Sequence, residues 1–151
     1  MTVKDLTLDA AIHVARHMRA RDWECIRATI GDITPETFAV GRFQSNGPAW
    51  FLEQGGRPVC IFGIELAHDR YGVAWLACTD EMRSFKKLFR FSLTVAHNAF
   101  SGLGMARIEA QTLVGWDQAQ AFADRLGMTF EGTRRNAGIN GESFHVFARV
   151  E

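Results

Sequence analysis

The chain has one tyrosine, three prolines, three cysteines and no net charge, with 17 basic side chains balanced by 17 acidic ones over 151 residues. Each scarcity excludes something. Zero formal charge leaves no global field to gather nucleic acid or an anionic membrane, so neither is expected as a partner. No apolar run approaches the ~20 residues that cross a bilayer. The opening residues Met1-Thr2-Val3-Lys4-Asp5 lack the long apolar region of a signal peptide, and a cytoplasmic protein is expected. Cys25, Cys60 and Cys78 are odd in number and lack metal-ligand spacing. Reduced, buried thiols fit them better than a disulfide framework or a zinc site.

What the chain does have is apolar bulk. Hydrophobic residues make up 47% of it, enough for one core but, at this length, not two, so a single domain over residues 1–151 is expected. Twelve phenylalanines and four tryptophans are mostly core material and imply no aromatic cofactor. Phe85, Phe89, Phe100, Phe122 and Phe130 fall on predicted buried faces. Trp50, Trp116 and Phe43 are candidates for an exposed interface.

Periodicity sets the order of elements. Thr2 to Leu8 suits a strand, and Asp9 suits a cap for a helix whose Ala10, Ala11, Val14, Ala15 and Met18 share a face. A second helix is predicted from Asp22 to about Thr29. Gly31 to Gly47 reads as a loop with a helical turn around Glu36 to Val40. Ala49 to Glu53 and Pro58 to Leu66 form a hairpin through Gln54-Gly55-Gly56-Arg57, and the nearly continuous apolar run from Val59 to Ile64 marks a central strand. Another strand spans Gly72 to Thr79. The longest helix runs from Phe85 to Phe100 and ends at Gly102 and Gly104. Met105 to Val114 is a strand. A helix carrying Ala119, Phe122, Ala123 and Leu126 then stops at Gly127. Two strands follow, Met128, Phe130 and Gly132 alternating in the first and Phe144, Val146 and Ala148 in the second, around a turn at Asn136 to Gly141.

Strand, two helices, three strands, long helix, strand, helix and two strands is an order that resembles the GNAT N-acetyltransferase superfamily, and the Leu126-Gly127-Met128 junction followed by Glu131-Gly132 is similar to its C-terminal motif. The resemblance covers nearly the whole chain. It implies an α+β fold with a central mixed, mostly antiparallel twisted sheet and helices on both faces, and acetyl-CoA as cofactor. The family's Gln/Arg-x-x-Gly-x-Gly/Ala turn wraps the cofactor pyrophosphate; the matching run here, Arg83-Ser84-Phe85-Lys86-Lys87-Leu88, keeps the arginine and replaces both glycines. A side chain at those places restricts close approach of a phosphate. Yet Arg83, Lys86, Lys87 and Arg90 crowd the start of a helix, where cations are unfavourable by ~0.3–1 kcal/mol each unless an anion is present. Either a bound phosphate explains them, or they fan into solvent or pair with Asp80, Glu81 or another chain.

By the same resemblance, Arg83, Ser84, Lys86, Lys87 and Leu88 are the cofactor candidates, joined by Leu76, Ala77 and Cys78, whose backbone N–H groups would polarise the acyl carbonyl. The family's thiolate acid, a tyrosine four residues before the helix-ending glycine, corresponds to Ala123, and its asparagine to Trp116. Tyr71 is the only tyrosine available as a substitute. Glu109, His68, Asp69 and Glu65 are the candidate bases, each with an ordinary surface or turn reading beside it. Cys78 borders the expected thioester site but has nothing near it to make a thiolate.

Met18-Arg19 with Asp22-Trp23, Arg57-Pro58-Val59, Trp75 before Thr79-Asp80, and Gly141-Glu142-x-Phe144 together look like a GNAT-like family of short-tailed bacteriophages, some of whose relatives are internal virion or assembly proteins. Two readings follow. One is an N-acetyltransferase acting on a small-molecule or protein amine. The other is a non-catalytic interaction module whose partners are other virion proteins, located in the host cytoplasm or the virion. A homodimer through an exposed sheet edge is compatible with either.

Overall fold

A computed structural model describes residues 1–151. Its centre is a seven-stranded sheet in the order β1-β2-β3-β4-β5-β7-β6, formed by β1 (Thr2–Asp5), β2 (Ala49–Gln54), β3 (Arg57–His68), β4 (Tyr71–Cys78), β5 (Arg107–Leu113), β6 (Thr129–Arg134) and β7 (Phe144–Val150). Every neighbouring pair is antiparallel except β4 and β5. The helices are α1 (Leu8–Arg16), α2 (Ala20–Ile30), α3 (Pro35–Phe43), α4 (Lys86–Leu103) and α5 (Asp117–Arg125). The expected α+β class and mostly antiparallel sheet are therefore what the chain adopts.

Period-two alternation divides each central strand between two layers. Ile61 and Ala77 face α1 and α3, in a cluster with Val14, Phe38 and Phe51. Cys60, Phe62 and Cys78 face the opposite way with Leu88 of α4, and Ile64 and Ile108 join Phe100 and Ala123 of α4 and α5. A fourth group sets Ala28 and Cys25 of α2 against Leu113 and Phe144. The predicted face of α1 is buried as a unit, Ala10, Ala11, Val14, Ala15 and Met18 all being 8% exposed or less.

Several boundaries move. The first strand stops at Asp5, and Thr7, not Asp9, caps α1, its hydroxyl accepting from Ala10 N–H at 3.2 Å. The helical turn expected within the Gly31–Gly47 loop is a full helix, α3. Thr34 caps it and Pro35 occupies its first turn, where a missing N–H costs nothing. The long helix runs on to Leu103 and ends on Gly104 in the left-handed conformation.

Two aromatic expectations are corrected. Phe130 is 52% exposed, because β6 is an edge strand whose register slips between Phe130 and Gly132. Its ring lies edge-on to Phe147 and His145 instead of entering the core. Trp50 is not a free interface residue: its indole packs on Phe62 and Phe91 at 5.8 and 5.3 Å between centroids.

Candidate functional site

The site begins with a failure of pairing. Strands β4 and β5 are held in parallel register at only three positions, Tyr71–Arg107, Gly72–Ile108 and Val73–Glu109. Beyond Val73 they diverge, and a cavity of about 380 Å³ fills the wedge. It reaches both layers. On the α4/α5 side it is walled by Phe62, Leu76, Leu88, Thr112, Phe122 and Ala123, and on the α2 side by Asp22, Ile26, Trp75 and Gln111.

Diverging strands leave backbone donors open. Thr79 N–H donates to Val59 C=O at 2.9 Å, so by the alternation of an antiparallel ladder the N–H groups of Leu76 and Cys78 point away from β3, into the wedge. Cys78 C=O accepts from Arg19 N–H at 2.9 Å, and the Cys78 backbone favours the charged form of the Asp22 carboxylate. Leu76 N–H faces the cavity with no strand opposite it.

The start of α4 offers a second set of donors. Lys86 N–H bonds the Ser84 hydroxyl at 3.4 Å, whereas the N–H groups of Lys87 and Leu88 have no acceptor in the chain. Leu88 is 1% exposed, its side chain turned into the core. The exposure covers the backbone as well, so the Leu88 amide is buried with its side chain, and Lys87, which is exposed, carries the donor open at the surface. Ser84, Lys86, Lys87 and Arg90 line one shallow hollow with Met1, Val3 and Thr94, and the Lys87 ammonium donates to the Met1 carbonyl. Arg83 is exposed in the segment before α4 and lines neither this hollow nor the main cavity.

The remaining predicted residues are distributed as follows. Leu76 lines the cavity; Ala77 is buried in the α1/α3 layer; the Cys78 thiol lies 3.2 Å from that of Cys60. Glu109, Tyr71 and His68 come together, but outside the cavity lining, where β4 and β5 are still paired. Tyr71 O–H donates to Glu109 at 3.2 Å, and the His68 ring lies 5.8 Å from that of Tyr71. Glu109 is also held by Arg107 at 2.9 Å and Arg134 at 3.0 Å. Burial, followed by the Glu109 charge, pushes the Tyr71 hydroxyl up, so this phenol stays protonated at neutral pH.

Polar groups that line the cavity were not among the sequence candidates. Arg19 precedes α2, and its Nε donates to Asp22 at 2.5 Å. Its guanidinium lies over the rings of Phe85 and Trp116, 5.5 and 5.9 Å from their centroids. Asp22 is 3% exposed; burial raises its carboxyl above the usual range, opposed by Arg19 and the Cys78 backbone. Cys25 is pushed up to about 11, mainly by burial, so it rests as a thiol. The sequence did contain a signal for Asp22: it shares the apolar stripe of α2 with Cys25 and Ile26, where an acid is out of place.

Thr112 Oγ and Trp75 Nε1 are buried in the lining without hydrogen-bond partners. An orphaned buried hydroxyl is a cost to the fold. Thr112→Val is accordingly expected to raise stability by about 1 kcal/mol in a denaturant melt; a loss of comparable size would mean that the hydroxyl is satisfied.

No protein-family model and no curated protein matches the sequence. Solved structures do. A ribosomal-protein-alanine N-acetyltransferase from Brucella melitensis superposes with TM-score 0.75 at 11% identity over 100% of both chains. A ribosomal-protein-S5-alanine acetyltransferase from Vibrio fischeri gives 0.69 at 12% identity, covering 98% of this chain and 91% of the other. A spermidine N-acetyltransferase variant from Vibrio cholerae gives 0.71 at 10% identity, covering 99% and 95%. The chain has the GNAT acetyltransferase fold.

Proposed function

We propose that the protein is an N-acetyltransferase that moves an acetyl group from acetyl-CoA to an amine. The observation that carries this reading is the wedge between β4 and β5, a cavity traversing the sheet with the open Leu76 amide in its wall. Acetyl-CoA suits the residues present, which offer an apolar slot, the open Lys87 amide at the start of α4, and Lys86, Lys87 and Arg90 beside it. When bound it would supply the activated acyl thioester.

The chain's own parts divide the remaining work. Lys87 N–H, at the positive end of an 18-residue helix, binds a phosphate oxygen, and the neighbouring ammonium groups add charge. Leu76 N–H holds the carbonyl oxygen, a donor fixed in place before reaction. Ala123 lines the cavity where the resemblance places an acidic tyrosine, and the unpartnered Thr112 hydroxyl on the same face is the donor offered to the departing sulfur. Glu109 and Tyr71 are held in their own ion-pair cluster; they and His68 stiffen the paired end of the wedge in this reading. The bacteriophage and virion reading rests on its short sequence matches alone.

Isothermal titration with acetyl-CoA, coenzyme A and coenzyme A lacking its 3′-phosphate tests the proposal. Micromolar binding by the first two, weakened for the third, is the expected result. No heat at millimolar ligand would remove the cofactor and with it the enzyme.

A further inference from the structure

We propose that the acceptor is a primary amine bearing a single charge on a neutral, apolar body, and that Asp22 is the carboxylate that receives its ammonium group; this deepens the acetyltransferase reading and rests on it.

The charge inventory of the cavity argues the substrate class. Asp22 is the only acid in the lining, which also contains Arg19, Arg125 and Arg149. A polyamine entering there would meet three guanidinium groups and one carboxylate already engaged by Arg19. One ammonium needs only a share of that carboxylate. Ionised, it offers about four lone-pair sites, and Arg19 Nε takes one. The walls around it, Ile26 and Trp75, favour an apolar or aromatic body by burial.

Position argues the role. Asp22 is tied through Arg19, whose N–H donates to Cys78 C=O, to a point two residues along β4 from the open Leu76 amide, a separation of ~6.6 Å at the usual strand rise. An amine on Asp22 thus stands beside the place where the acyl carbonyl would be held, on the α2 side, with the start of α4 on the other. Arg19 is fixed between Phe85 and Trp116, so Asp22 is a positioned base. It takes one proton from the ammonium and frees the nitrogen lone pair. The nitrogen then forms the new C–N bond as the thioester C–S bond breaks, and its second proton goes to the departing sulfur.

The experiment uses the purified chain saturated with coenzyme A, titrated with phenethylamine, phenethyl alcohol and spermidine. The amine should bind at least ~10-fold tighter than the alcohol, and spermidine no tighter than phenethylamine. Asp22→Asn should abolish the preference for amine over alcohol while coenzyme A affinity stays within about twofold, which a purely structural Asp22 would not produce. A preference that survives in Asp22→Asn, or spermidine binding tightest in the wild type, overturns the proposal. If Asp22→Asn does not fold, Gln111→Glu places a second acid on the same face; spermidine should then gain ~10-fold relative to phenethylamine, and an unchanged ratio overturns the placement. Coenzyme A binding without amine selectivity sinks this inference alone, whereas no coenzyme A binding sinks the acetyltransferase reading beneath it.

Discussion

Reversing the charge of Lys86 and Lys87 together, as Lys86→Glu with Lys87→Glu, is expected to weaken coenzyme A binding by on the order of 100-fold near 10 mM salt, and much less at 0.5 M, where the Debye length has shrunk to a few ångströms. Both side chains line the hollow at the start of α4, and no acid stands in the first turn of that helix to offset them. The same substitution should act in the opposite sense on the free protein. Carboxylates at a helix N-terminus are favourable by several tenths of a kcal/mol each, so the ligand-free melting temperature should rise by a few degrees. Binding that falls while stability rises is a signature that general damage cannot imitate. Unchanged affinity in the double variant would take these lysines out of the site.

The largest effect on stability is expected from Ile61→Ala. Ile61 is 0% exposed in the middle of β3, packed in the layer of Val14, Phe38 and Phe51. Removing three carbons there forfeits transfer free energy and leaves a cavity that close-packed neighbours cannot fill, a loss of about 3–4 kcal/mol. The melting temperature should fall by roughly 10 °C. Leu103→Ala, at a residue 72% exposed, should cost less than about 0.5 kcal/mol. An Ile61 variant as stable as the Leu103 variant would mean that α1 and α3 do not pack on β3.

Strong local signals made most of the fold legible. The face of α1, the apolar run of β3 and the glycine stop after α4 each dictate their element through period or backbone freedom. Helix α3 was under-read because its short sequence mixes Gly41 and Arg42 with apolar residues, and its stability comes from the cap at Thr34 and from tertiary packing of Phe38 and Ala39. Phe130 was misplaced because alternation gives the face of a residue but cannot tell an edge strand from a central one. The site was less legible for a related reason. Leu76 was named for its backbone, which any residue possesses, while Asp22, Thr112 and Gln111 matter because of the cavity they line, a property of three-dimensional packing that no spacing encodes.

The three-residue seam between β4 and β5 has a mechanical consequence. It is the only ladder joining the four-stranded half, β1 to β4, to the three-stranded half, β5 to β7. Beside it, Arg70 C=O accepts from Ala106 and Arg107 N–H at 2.8 and 3.1 Å and Tyr71 O–H donates to Glu109, and elsewhere the halves are bridged by side-chain packing of α4 and α2 and by Ile139 N–H donating to Ala28 C=O at 2.9 Å. Amide hydrogen exchange should therefore resolve the molecule into two blocks that open with different free energies. A ligand lodged in the wedge would act as a keystone, slowing exchange most for the amides along the seam and leaving the outer strands nearly as they were.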